Sequence, residues 1–240
     1  MKKIVSLVFT FAIVSVALAQ NSTDPQKINL VDRASDHLMI QLSTDHWTNM
    51  PDTVSVNQKG FSRGIGIYFM IDKPFKSNPK YSVAFGLGVG NSNIFFEGTE
   101  PNLTSISSQL PFPNTSTTDH FKKYKLSTSY LEVPVELRYT AHPEKENKSF
   151  KAAIGIKTGL ILDAHTKGKD LLDQAGNVIS DYTQKESSTN FFSTARLVTT
   201  ARIGYGVFSI FGNYQITSLL KPGAGANIQF FQVGLGISGL

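Results

Sequence analysis

The carboxylates with the clearest spacing are Glu132 and Glu136, four residues apart in the segment SYLEVPVELRY (129–139). Two carboxylates can act as a general acid and a general base, as they do in glycoside hydrolysis. In an extended strand, however, residues four apart have Cα atoms about 13 Å apart. That separation is too large for a typical glycosidase pair, so the spacing argues against catalysis by these two residues.

Histidines supply the other candidate chemistry, because two of them follow an aspartate closely, in Asp45-His46 and Asp163-x-His165. Such pairs could bind a divalent cation or, together with Ser43, form a hydrolase-like site of nucleophile, base and orienting group. No motif marks such a site, and solvated histidines near strand ends explain the pattern better. We therefore predict no catalytic residue, no metal site and no cofactor.

Ion pairing inside a closed structure is the chemistry that the charged residues favour. Charges of both signs recur at alternate positions of extended segments, so that they would share one face. An isolated buried charge is costly, and pairing with an opposite charge offsets that cost. We predict an ion-pair plug formed by Glu132, Glu136, Arg138, Lys151, Lys157, Asp163, Arg196 and Arg202.

The elements that must position these side chains are strands, because apolar residues beyond residue 35 recur with a period of two. Strict alternation over such lengths predicts β-strands. Eight strands of about ten residues each are what a small membrane-spanning barrel requires. The predicted strands cover residues 37–47, 64–71, 81–90, 122–139, 150–165, 191–204, 207–215 and 228–238.

The connections between the predicted strands alternate between long and short. Outer-membrane barrels have long extracellular loops and short periplasmic turns, so the pattern predicts an all-β, eight-stranded, antiparallel up-and-down transmembrane barrel with both termini in the periplasm. The predicted long connections are 48–61, 92–121, 167–189 and 217–226, and the short ones are 73–79, 141–149 and 205–206.

The polarity of the two strand faces decides what the interior contains. In a membrane barrel the apolar face meets lipid and the charged face meets the lumen. An eight-stranded barrel is just wide enough for side chains to fill, so we predict a plugged lumen. Two alternatives stay open: a small transport pore, and a soluble, periplasmic lipocalin-like binding barrel whose apolar faces point inward.

The N-terminus reads as an export signal. Lys2 and Lys3 precede an apolar stretch that ends in the small-residue site Ala17-Leu18-Ala19, as in a cleavable signal peptide. We predict a signal peptide at 1–19, a periplasmic N-terminal segment at 20–35 and the barrel domain at 36–240. The formal net charge of +5 is small and spread along the chain, so no nucleic-acid partner is predicted. The absence of cysteine excludes disulfides and thiolate zinc sites.

The long connection at 92–121 is the best candidate for a functional surface. Loops on rigid scaffolds commonly carry binding residues, and this loop contains several large apolar side chains among Ser, Thr, Asn and Pro. A flexible, solvated loop is the alternative. The possible binding surface comprises Phe95, Phe96, Ile106, Leu110 and Phe112.

The segment Tyr130-Leu-Glu-Val-Pro-Val-Glu-Leu-Arg-Tyr139 resembles the strand YLEIPLLLKY of the PorT-like outer-membrane β-barrel family, found mainly in the Bacteroidota. Glycine pairs at 86–90 and 155–159 support the resemblance, although Glu136 is more charged than the family pattern. The resemblance implies a cell outer-membrane protein that contacts lipid, and possible contacts with other envelope proteins. One member is associated with type IX secretion, but a shared barrel does not transfer that role. We expect a non-enzymatic structural, surface-binding or envelope-machine component.

Overall fold

The computed structural model describes residues 38–55, 57–58 and 61–238. The predicted signal peptide and periplasmic segment lie outside these residues. No helix in the described part of the chain is long and apolar enough to cross a membrane. The elements are β1 (Leu38–Thr48), α1 (Asp52–Ser55), β2 (Arg63–Pro74), β3 (Tyr81–Phe96), β4 (His120–Thr140), a 3-10 helix (Pro143–Lys148), β5 (Phe150–Leu172), β6 (Val178–Ser187), β7 (Ala195–Tyr205), β8 (Phe208–Gln215) and β9 (Gln229–Ser238).

Eight of these strands form a closed antiparallel ring. Each of β1 to β4 pairs with the strand that follows it in the chain. The first half of β5 then pairs with β7. The ring then continues through β8 and β9, and β9 pairs with β1. The prediction of an eight-stranded, up-and-down barrel is confirmed, and closure leaves the ring without an unpaired edge.

The connections are sorted between the two ends of the ring. At one end, here called the short-turn end, they cover residues 75–80, 141–149 and 206–207. At the other, the long-loop end, they cover 49–62, 97–119 and 216–228, and β6 with its flanking turns lies there too. This is the asymmetry that the sequence predicted.

The ninth strand is a difference from the prediction, which treated 167–189 as a loop. That prediction was wrong, because β5 continues outward and forms a hairpin with β6. The Asp173 carboxylate accepts hydrogen bonds from the backbone N–H groups of Ala175 (2.9 Å) and Asn177 (2.8 Å), and Gly176 adopts a φ of +84° in the turn. Both faces of β6 are exposed, so its sequence lacks the apolar alternation that marks the other strands.

The apolar faces of the ring point outward. Large side chains such as Leu42, Ile67 and Leu87 are about half exposed on the outer surface, whereas Glu132 on the inner face is 1% exposed. A barrel in lipid requires this polarity, because its apolar side chains contact the lipid and its polar side chains face the lumen. The lipocalin-like alternative is therefore wrong, because its apolar faces would point inward.

Close approach of strands inside the barrel makes Gly155 on β5 hard to replace. A Cβ added there would overlap the carbonyl oxygen of Val135 and lie 2.8 Å from the Cα of Glu136. Both obstacles are backbone atoms of β4, so no rotamer change can relieve them. We expect Gly155→Ala to lower the free energy of unfolding by about 1–3 kcal/mol, measured by denaturant titration of the protein in lipid vesicles.

Gly212 on β8 provides the matched control for that substitution. A Cβ there would meet only the carbonyl oxygen of Gln232, at 3.9 Å, which is ordinary contact. Gly212→Ala should therefore leave the unfolding transition almost unchanged. Equal effects of the two substitutions would show that the close approach of β4 and β5 does not limit the side chain at Gly155.

Candidate functional site

The middle of the barrel interior is organised around Glu132, which β4 directs inward. Arg196 on β7 donates to its Oε1 atom through both Nη2 (2.8 Å) and Nε (3.2 Å), and the Tyr68 hydroxyl on β2 donates to Oε2 (2.6 Å). The Arg196 guanidinium also lies 3.7 Å above the centre of the Tyr130 ring. Both carboxylate oxygens are thus bonded, and three strands are joined across the lumen.

Lys157 on β5 completes this middle layer. Its Nζ lies 3.3 Å from the Tyr68 hydroxyl and 3.4 Å from Oε1 of Gln41 on β1. The same ammonium lies 5.0 Å from the centre of the Tyr68 ring. Tyr68 therefore links the ammonium group to Glu132, since its hydroxyl accepts from Lys157 and donates to the carboxylate.

A second layer, nearer the short-turn end, surrounds Glu136. Its Oε2 atom accepts hydrogen bonds from Nε of Arg138 (2.9 Å) and Nη2 of Arg202 (3.0 Å). Arg138 Nη1 also lies 4.0 Å from Oδ1 of Asp72. The second guanidinium, on Arg202, donates to the Ser238 hydroxyl on β9 (3.3 Å). This layer ties β4 and β7 to the last strand of the ring.

A third layer, nearer the long-loop end, surrounds Asp45, which is fully buried. Its Oδ1 atom accepts hydrogen bonds from the Ser43 hydroxyl (2.6 Å) and from Nε2 of Gln232 (2.8 Å). Neutral donors therefore hold this carboxylate. Across the three layers, the described interior side chains include four carboxylates and four cations whose formal charges cancel: Asp45, Asp72, Glu132, Glu136, Arg138, Lys157, Arg196 and Arg202.

Two residues of the predicted plug do not join these layers. Lys151 lies near the short-turn end, with its Nζ 3.8 Å from the Glu146 carboxylate of the 3-10 helix. Placing Asp163 in the interior was wrong: its carboxylate accepts from the Ser187 hydroxyl (2.7 Å) and contacts His165 Nδ1 (2.6 Å). The reason is a register shift between β4 and β5 near Tyr130, which leaves one extra residue on β5 and reverses the faces beyond it. The structure brings the other six together: Glu132, Glu136, Arg138, Lys157, Arg196 and Arg202.

The sequence interpretation missed several residues of the interior layers, among them Asp45, Asp72 and Tyr68. Asp45 had been paired with His46, but successive strand residues point to opposite faces, and His46 contacts Thr44 instead (3.2 Å). Asp72 lies one residue beyond the predicted end of its strand. Tyr68 alternates with the apolar Ile67 and Phe69 in the predicted strand 64–71, but it has no predicted role. All three follow the same period of two as their strands, so the signal for an inward direction was present.

An apolar cluster, here called the cap, lies at the long-loop end of the ring. Rings from three elements meet in it: Trp47 lies edge-on to Phe96 (5.5 Å between ring centres), and Phe96 lies 6.3 Å from Phe112. All four long connections contribute side chains. The cap comprises Trp47, Val54, Ile94, Phe96, Leu103, Leu110, Leu126, Ala164, Phe191, Phe192, Leu219, Leu220, Ala224, Ile228 and Phe230.

The five residues of the predicted loop binding surface lie in different places in the structure. Phe96 and Leu110 are buried in the cap, and Phe112 packs against it. Phe95 is half-buried on the outer face of β3, where its ring lies 5.5 Å from the Arg63 guanidinium. Ile106 is the one member that is fully exposed. These five residues therefore do not form one surface, because Phe96, Leu110 and Phe112 pack in or against the cap.

Comparison with known families identifies the fold. The model of the family described as outer membrane protein beta-barrel domain matches residues 20–219. The chain belongs to this family. As an outer-membrane barrel, its long-loop end is extracellular and its short-turn end is periplasmic.

The comparisons with individual proteins are weaker. No curated protein sequence matches the chain. The crystal structure of Ail, the attachment invasion locus protein of Yersinia pestis, is 11% identical, with 83% of this chain and 95% of that chain covered and a TM-score of 0.35. Ail in complex with the heparin analogue sucrose octasulfate is 13% identical over the same shares, with a TM-score of 0.32. Likeness at this level carries no argument about function.

The outer-membrane barrel also has an extracellular cavity of about 200 Å³ beneath the 97–119 loop, lined in part by Glu100, Tyr124 and Glu186. Burial raises the pKa of the Glu100 carboxyl, although a hydrogen bond from the Phe121 N–H opposes the shift. Burial, with the nearby charges of Glu100 and Glu186, raises the pKa of Tyr124 to about 12. The Tyr124 hydroxyl donates to the carbonyl oxygen of Pro101 (2.9 Å), so it fastens the loop to β4.

Proposed function

We propose that this outer-membrane barrel is non-conducting, and that its paired interior charges form a plug within a structural or surface-binding component of the envelope. One observation carries the proposal: the interior side chains form three hydrogen-bonded layers, two of which contain ion pairs, and the apolar cap lies at the long-loop end. Eight strands enclose only enough space for side chains. A barrel filled in this way suits a rigid support for its extracellular parts better than a passage for solutes.

A small transport pore is the second candidate, and conductance separates the two. The purified barrel should give no steady single-channel currents in planar lipid bilayers, because ion pairs and hydrogen bonds with other side chains hold the charged groups across the lumen. Insertion would be verified in the same preparation by the faster gel migration of the unboiled protein. Steady currents from correctly inserted wild-type protein would overturn the plug and favour the pore.

A rigid support of this kind would present the extracellular hairpin of β5 and β6 to partners outside the cell. β4 and β5 continue beyond the ring, and among the described strands β6 pairs with β5 alone, which leaves an exposed two-sided hairpin. Val178, Ile179 and Tyr182 are exposed on it. We assign contacts with other envelope proteins to this hairpin, in place of the aromatic residues that the cap buries.

The PorT-like resemblance is compatible with this role. The strand that carries it, 130–139, supplies both Glu132 and Glu136, the two acceptors around which the inner layers form. Glu132 belongs to the part of the strand that follows the family pattern, and its bonds give that strand a structural task, whereas Glu136 departs from the pattern. The resemblance gives no reason to propose a role in secretion.

We propose no enzymatic role. Ser43 and His46 lie on opposite faces of β1, where Ser43 donates to Asp45 and His46 contacts Thr44. A serine hydrolase needs its serine and histidine within hydrogen-bond reach, and these two residues do not meet that requirement. If the protein were instead a membrane-embedded hydrolase, it would have an activity that is lost when His46 or His165 is replaced with alanine.

A further inference from the structure

A row of lysines crosses the outer face of the extracellular sheet. Lys125 on β4 lies directly opposite Lys167 on β5, and Lys167 lies directly opposite Lys185 on β6. In the next row outward, Lys123 lies opposite Lys169. Like charges directly opposite one another destabilise a sheet. The fold therefore concentrates positive charge here at a cost to its own stability.

The direction of these side chains follows from their neighbours. Tyr124 and Thr166 alternate with the lysines and line the cavity on the inner face, and so does Glu186 next to Lys185. Because side chains alternate along a strand, the lysines point away from the barrel. Their ammonium groups consequently lie on the outer surface of the sheet.

The row continues onto β2 through Arg63. The Arg63 guanidinium lies 5.3 Å from the ring centre of Phe61 and 5.5 Å from that of Phe95. Lys125 Nζ lies 5.9 Å from the Phe95 ring and donates to Oδ1 of Asn93 (2.7 Å). Burial, followed by the positive charges of Lys167, Arg63 and Lys185, lowers the pKa of Lys125. We call Arg63, Lys123, Lys125, Lys167, Lys169 and Lys185 the basic stripe.

The described residues do not supply the stripe with matching anions. Lys169 pairs with Asp170 (3.8 Å), but no described carboxylate lies within 4.0 Å of the charged nitrogens of the other five members. Asp163, on the same face of β5, has its carboxylate oxygens bonded to His165 and Ser187 instead. Apart from Lys169, the members of the stripe therefore have no ion-pair partner among the described carboxylates.

The position of the stripe indicates where an anion that pairs with it would come from. Arg63 lies two residues beyond the exposed, lipid-facing Ile65, a rise of about 7 Å along the strand. Phe61 is also exposed at this level, and aromatic side chains mark the membrane interface of outer-membrane barrels. The stripe therefore begins where the hydrocarbon ends and headgroups start, on the extracellular side.

We propose that the basic stripe binds phosphate groups on the headgroups of anionic outer-leaflet glycolipids, and so holds the extracellular sheet against the membrane surface. Lys and Arg are the side chains that proteins use for phosphate. Attraction to lipid surface charge falls off within a Debye length, and Arg63, two residues beyond the lipid-facing Ile65, lies within that distance of the lipid-facing band. The proposal depends on the barrel being in the outer membrane and not on the plug.

The test uses the full-length barrel in detergent with phosphorylated lipid A as the probe. Lipid retained after gel filtration is quantified for wild type and for K125Q/K167Q/K185Q. We expect at least a tenfold loss of retention in the variant, and weaker retention by wild type as salt rises from 0.1 to 0.5 M. A triple Lys→Arg variant at the same positions should retain the lipid, which shows that charge and not fold is responsible.

Two controls make the result decisive. K73Q/K76Q/K80Q removes three exposed lysines at the periplasmic end and should retain lipid like wild type. Faster migration of the unboiled protein would establish that every variant is folded. The proposal would be overturned if the K125Q/K167Q/K185Q variant retained as much lipid A as wild type. It would also be overturned if wild type retained dephosphorylated lipid A as well as phosphorylated lipid A. Displacement of the lipid by millimolar inorganic phosphate would also overturn it, because the site would then recognise free phosphate.

Discussion

Glu136→Ala is expected to lower the free energy of unfolding by about 3–5 kcal/mol, the usual effect of removing one partner of a buried ion pair. Glu136 accepts from both Arg138 and Arg202 inside the barrel. Without the carboxylate, two guanidinium groups would share a site that is almost closed to water. Denaturant titration in lipid vesicles measures the change, and the temperature at which the folded band disappears from gels of heated samples should fall.

Glu144→Ala is the matched control, because Glu144 carries the same group near the same end of the barrel but is 59% exposed on the periplasmic 3-10 helix. Its effect should stay within about 0.5 kcal/mol. The double variant E136A/R202M should be less destabilised than the two single variants added together, since it no longer buries Arg202 without its acceptor. An unchanged transition for Glu136→Ala would contradict internal ion pairing at this layer.

The parts of the fold that the sequence predicted well are those in which one environment acts along a whole strand. Each ring strand has lipid on one side and the lumen on the other, so apolar and polar residues alternate without interruption. The segment 81–90 is a clear case, and β3 contains it in the predicted direction. The inward direction of Glu132, Glu136, Arg196 and Arg202 followed from the same alternation.

The errors arise where that environment changes. Asp163 was misplaced because one extra residue on β5 reverses the faces of the strand, and nothing in the local sequence marks the position. β6 was missed because water contacts both of its faces, so no alternation is selected. The burial of Phe96 and Leu110 depends on packing among four separate loops. The alternation of apolar and polar residues along a single segment cannot predict such packing.

Phe96 distinguishes a cap from a binding surface, and its replacement has the second large expected effect. Phe96 is 2% exposed and meets Trp47 edge-on. Removing a buried phenylalanine ring loses its transfer free energy and leaves a cavity, so Phe96→Ala should destabilise the cap by about 3–5 kcal/mol. Trp47 is the single tryptophan of the chain, so its fluorescence reports on the cap alone and should shift to longer wavelength as water reaches the ring.

Ile106→Ala provides the control within the same loop, since Ile106 is fully exposed, with a relative accessibility of 106%. It should leave Trp47 emission unchanged and stability within about 0.5 kcal/mol. Protease added to intact vesicles should cut the 97–119 loop faster in Phe96→Ala than in Ile106→Ala, because the loop loses its main anchor. If both variants kept wild-type emission and protease resistance, Phe96 would not be a core residue of the cap, and a surface role for its ring would regain support.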